Sequence, residues 1–167
     1  MSEVMNYLLA AVLIGGGATA LLDVWTIVRK RLFGIPLVNY GLLGRWLAFM
    51  PRGRFCHRPI AATPPVAGES LIGWTAHYLI GIAFAGLLLV IWSLDWARHP
   101  TPGPALMIGL GSVAAPFLLM QPGMGAGIAA SRTPRPGAAR LQSIVTHAVF
   151  GLGLYAAGWI TSLLSWF

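Results

Sequence analysis

Three ionisable side chains stand inside otherwise apolar stretches of this chain: Asp23, His77 and His147. Ionisable groups are rare within membrane-spanning segments and mark ion pathways, proton relays or ligand sites. Two histidines on facing helices could supply both axial ligands of a haem iron. They could instead hold a divalent metal, with Asp23 as a third ligand. An aspartate and two histidines could also relay protons or neutralise a cationic solute, because imidazole titrates near neutral pH. The plainer alternative is a hydrogen-bonded polar cluster that fixes helix register. No nucleophile with its base, paired carboxylates or phosphate loop is present, so no catalytic residue is expected.

A second unusual stretch closes the third apolar run. It passes from Pro116 to Gln121, Pro122, Gly123, Gly125 and Gly127. Pro116 frees a carbonyl one turn earlier and would kink a helix. Uncharged residues continue past Gln121 up to Arg132. Non-helical backbone at membrane depth is tolerated where it is buried in protein or lines a cavity. A broken or re-entrant helix here could present backbone groups, beside the Gln121 amide, to a ligand. Close packing through small residues explains the same glycines without one. The glycine spacing is no nucleotide signature, since no strand precedes it.

The elements that must position these groups follow from composition. The chain has 167 residues, of which 57% are hydrophobic and 9% charged, against about 25% charged in a soluble domain. Its simplest solvent is lipid. The expected fold class is an all-α membrane protein, a four-transmembrane-helix bundle forming one integral domain over residues 1–167. Spans are expected at about 5–28, 70–94, 104–121 and 141–166, each about the length a bilayer needs. Backbone groups in lipid must be satisfied internally, which favours helices. Met1-Ser2-Glu3 lacks the positive charge that opens a secretory signal, so the first span is expected to be retained.

The net charge of +7 is not spread over a polar face. Residues 29–69 hold seven Lys or Arg and residues 122–140 hold three, against Arg98 alone in residues 95–103. This is a topology signal and not a nucleic-acid footprint. The positive-inside rule puts the first and third loops in the cytoplasm and both termini on the other side. Trp92, Trp96, Trp159 and Trp166 suit the far interface, and Trp25 the near one. Cys56, the one cysteine, has no partner for a disulfide.

Within the first loop, Asn39 is placed to cap a short helix that stops before Pro51. Leu42, Leu43, Trp46, Leu47 and Met50 recur there at helical spacing, with Arg45 on or near the other face. That helix lies in the membrane interface or packs on the bundle ends.

The chain also rhymes with itself. His77 and His147 are each followed four residues later by glycine, and each follows a proline-rich segment. Ile14-Gly15-Gly16-Gly17 resembles Ile108-Gly109-Leu110-Gly111. Two parallel helical hairpins with one insertion in the first loop would produce this pattern, which occurs in transporters. From helical rise, Asp23 lies roughly 9 Å, His77 roughly 12 Å and His147 roughly 10 Å from the basic ends of their spans. They are expected to share one layer in the cytoplasmic half of the bundle.

Several stretches resemble a family of small bacterial membrane proteins known as domain of unknown function 2938. They are the Gly-rich first span ending in Asp23, Phe33-Gly34-Ile35-Pro36, Gly44-Arg45-Trp46, Met50-Pro51-Arg52-Gly53, and Gly73-Trp74 with His77. Most specific is Gln121-Pro122-Gly123-Met124-Gly125-Ala126-Gly127 running into Ser131-Arg132-Thr133-Pro134, and His147 with Phe150-Gly151 closes the match. The resemblance implies a bacterial inner-membrane location and carries no activity. The functional expectation is a transport-type or accessory protein whose partners are the lipid bilayer and, because four spans are few, other copies of itself. The alternatives are a haem- or metal-binding redox protein and a non-catalytic scaffold or assembly protein.

Overall fold

The computed structural model describes residues 2–164 and is all-helical there. Ser2 starts α1, its hydroxyl accepting from the Met5 amide at 3.3 Å. α1 runs from Glu3 to Phe33 and closes on Gly34 at φ 64. It continues past the expected end at Val28, because Lys30 and Arg31 in the last turn suit the negative end of the helix dipole. α2 spans Tyr40–Phe49, capped as expected by Asn39, whose side chain accepts from the Gly41 amide at 3.0 Å.

α3 spans Glu69–Arg98 and breaks at Ser93, which sits at φ 62. The Ser93 hydroxyl accepts from the Asp95 amide at 3.2 Å and restarts the last turns. The third span, Pro102–Gly123, is interrupted. It consists of α4 (Pro102–Gly111), a π-helical turn over Pro116–Met120 and a last turn, α5 (Gln121–Gly123). The expected break is therefore a widened turn at Pro116 rather than an open gap. α6 covers Pro136–Ser162; the end of the fourth expected span, with Trp166, lies outside the described residues. Four helices are long and apolar enough to cross a membrane, at Glu3–Phe33, Glu69–Arg98, Pro102–Gly123 and Pro136–Ser162.

Two compact units emerge. The first comprises the described residues of Met1–Leu37, Tyr78–Ser112 and Thr146–Phe167. Its core holds Ile14, Leu88, Leu89 and Leu154, all fully buried. Val12, Leu79, Val90, Met107 and Leu152 are exposed and suit lipid. Gly15 lies against Gly81 and Ile82, and Gly109 lies against Gly151. These are the glycines that the internal rhyme relates, 94 residues apart in one pair and 70 in the other. Each hairpin thus brings its backbones together at the same motif, where a side chain would hold them apart. Trp96 departs from its expected interfacial place: it is 5% exposed, its ring covers Gly158, and its indole donates to the Thr101 carbonyl at 3.2 Å.

The second unit comprises Val38–His77 and Val113–Val145. Here α2 lies on the first turns of α3, with Gly44 against the Glu69 backbone and Gly73 against the Tyr40 carbonyl. No residue of α2 is exposed. Arg45, expected near the outer face, is instead turned inward and 9% exposed, because its partner Glu69 lies there. α2 is thus a packed helix.

Leucine at Gly15 or Gly109 is expected to cost about 1–3 kcal/mol or more by overpacking. Ala at Gly16, where an added Cβ meets nothing within 4 Å, should gain about 0.5–1 kcal/mol by helix propensity. Thermal unfolding in detergent micelles distinguishes the two signs.

Candidate functional site

The three ionisable residues of the spans fall in both units. Asp23 accepts from the Tyr78 hydroxyl at 3.0 Å within the first unit. His147 Nδ1 lies 2.6 Å from the Ser112 hydroxyl, in the same unit. That hydroxyl also lies 2.6 Å from the Gly109 carbonyl. The assignment satisfying all three groups has Ser112 donating to Gly109 and the His147 Nδ1–H donating to Ser112. His77 belongs to the second unit, where its ring stacks on Tyr40 at 4.1 Å between centroids. Among the described residues, no three His, Cys, Asp or Glu side chains come together as a metal-ligand set. Arg29, read from sequence as a loop residue, is 4% exposed, and its guanidinium reaches the Thr146 hydroxyl at 3.4 Å.

The second unit builds a more complete arrangement. Arg45 donates through Nε to Glu69 Oε2 at 2.8 Å and through Nη2 to Oε1 at 2.7 Å. Its Nη1 donates to the Thr63 carbonyl at 2.7 Å. Glu69 Oε2 also accepts from the Val66 amide at 2.8 Å. Hydrogen bonding to Glu69 raises the Arg45 guanidinium above its ordinary value, against the opposing penalty of burial. Thr63, held in this way, places its hydroxyl 3.0 Å from His57 Nδ1.

His57 in turn meets the Gly-rich segment. Its amide donates to the Gly123 carbonyl at 2.8 Å, and the Ile60 amide donates to the Met124 carbonyl at 2.9 Å. Gly125, at φ 94, lets the His57 carbonyl approach to where a Cβ would stand only 2.6 Å away. Gly123 packs under the Trp46 ring, whose indole donates to the Phe55 carbonyl at 2.8 Å. Gln121 donates to the Ser143 hydroxyl at 3.4 Å, and its buried carbonyl oxygen has no partner among the described residues. The expected broken helix is thus a backbone platform stitched to residues 55–60.

Cys56, His57, Arg58, Pro122, Gly127 and Arg132 line a cavity of about 270 Å³ in this unit. Pro122 and Gly127 are legible from the sequence; Arg58 and Arg132 appear there as loop residues, Arg132 also within the family motif, and His57 is not singled out. The one local signal was a histidine beside an arginine in a basic loop. Its partner segment lies over 60 residues further along the chain, and no spacing rule connects the two.

Alanine at Ser112 leaves the half-buried His147 Nδ1 without its hydroxyl partner, with an expected loss of about 1 kcal/mol or more in detergent unfolding experiments. Glu69→Gln should lower the melting temperature as well. Arg45→Lys should not preserve it, because an ammonium cannot reproduce the two-pronged contact.

No curated protein matches this chain. No solved structure matches it either. A family model described as a protein of unknown function (DUF2938) matches residues 12–161, so the chain belongs to that family, as its motifs implied.

Proposed function

We propose that this protein is a small bacterial inner-membrane protein of transport-type or accessory role. Its first and third loops face the cytoplasm and its termini the opposite side. The observation that carries this reading is the second unit. It gathers Arg45, Arg52, Arg54, Arg58, Arg132, Arg135 and Arg140 against one carboxylate, Glu69. These segments form a folded cationic body with paired backbone groups. Positive charge concentrated beside membrane spans belongs on the cytoplasmic side. The first unit adds titratable groups at Asp23 and His147 for a solute or proton pathway, which four spans per copy would complete by self-association.

A scaffold role has its own support. The Asp23–Tyr78 and His147–Ser112 contacts each join two helices and thereby set register. In proteoliposomes, proton or solute flux lost in Asp23→Asn supports transport. Flux no greater than that of empty vesicles leaves the accessory or scaffold role.

Cys56, exposed and the one cysteine of the chain, reports orientation directly. A membrane-impermeant maleimide is expected to label it in inside-out vesicles and not in intact spheroplasts. The reverse pattern would overturn the proposed topology.

A further inference from the structure

The cavity lined by His57, Arg58 and Arg132 has a chemistry that the proposed role does not itself require. We propose that it binds a phosphate-class anion, either a free phosphate or the phosphate of a lipid headgroup. The inference does not depend on whether the protein transports anything.

Charge is the first argument. Arg58 and Arg132 both line the cavity, and neither makes a side-chain hydrogen bond or ion pair among the described residues. Glu69, the only carboxylate in the second unit, is committed to Arg45 and the Val66 amide. No acidic group of this unit is left to neutralise the pair.

The second argument is independent of charge. His57 is 5% exposed, and its Nε2 is buried without a hydrogen-bond partner among the described residues. In the tautomer in which the Thr63 hydroxyl donates to Nδ1, and equally in the imidazolium, Nε2 carries a hydrogen with nothing to receive it. A buried donor in that state calls for an acceptor. The ring is also preorganised, held by Thr63 on one side and by the backbone bond to Gly123 on the other.

Ligand class follows from donor type and size. Guanidinium forks match phosphate oxygens two at a time, and a tetrahedral oxyanion can accept from two arginines and an imidazole approaching from different directions. A planar carboxylate offers fewer such directions. The volume of about 270 Å³ lies just below the range of drug-sized ligand pockets, which begins at roughly 300 Å³. It suits one small anion or headgroup.

The test uses the full-length protein in two arms. Lipid-stripped protein in detergent is titrated calorimetrically with inorganic phosphate. Protein in nanodiscs of mixed phosphatidylcholine and phosphatidylglycerol is assayed for retained anionic lipid. Binding in the first arm identifies a free anion, and retention in the second alone identifies a headgroup. In whichever arm binds, the Arg58→Gln/Arg132→Gln double variant is expected to weaken binding by about tenfold or more. Arg135→Gln, the same charge change outside the cavity lining, should bind as wild type. His57→Gln is a second variant, expected to weaken binding with both arginines intact. Unchanged melting temperatures show that each variant is folded. Absence of binding in both arms would overturn the proposal. So would wild-type binding by the double variant, or an equal loss in Arg135→Gln.

Discussion

Arg45 presents one edge of its guanidinium to both oxygens of Glu69 and another nitrogen to the Thr63 carbonyl. A charge drawn out of water is tolerated only when its donors are satisfied, so this residue dictates where three chain segments go. It holds α2 to the first turn of α3, and it holds residues 60–63 beside both. Gly44 and Gly73 make the approach possible, since any side chain there would strike backbone. Thr63, once placed, orients His57, and His57 pairs with the Gly-rich segment through Gly123. The cavity is the last link of that sequence of contacts.

The first unit is held by different means. Its helices meet through glycine pairs and through single polar contacts such as Tyr78 with Asp23 and Arg29 with Thr146. Gly15 and Gly109 bring backbones together, while the hydroxyls of Thr19, Ser112 and Thr161 are each satisfied by a carbonyl of their own helix. Lipid explains the economy. An apolar solvent gives no hydrophobic gain for burying one more leucine, so contact area and satisfied polar groups must supply the association.

Local chemistry was readable in advance. The spans follow from apolar length, the start of α2 from Asn39, and the irregular end of the third span from Pro116. Each depends on residues within a few positions of one another. Arg45 was misplaced because helical spacing assigns it to a face without revealing that Glu69, 24 residues later, occupies the opposite side of the contact. Depth along a helix is legible for Asp23, His77 and His147, but their neighbours are not. Rise along a helix gives depth, and depth says nothing about which way a side chain turns or what stands across from it. The contacts of Asp23 with Tyr78, of His147 with Ser112 and of His77 with Tyr40 are made by residues 35 or more positions apart.

Membrane character, helix count and the concentration of basic residues in two connecting segments were set by composition and order along the chain. They follow from solvent preference and charge, which are properties of residues taken one stretch at a time. The inward turn of Arg45, the burial of Arg29 and His57, and the cavity beside Arg58 and Arg132 came only with folding. Those features are made by segments tens of residues apart. Their juxtaposition is fixed by which polar groups can satisfy one another once water is gone, and no local pattern encodes that pairing.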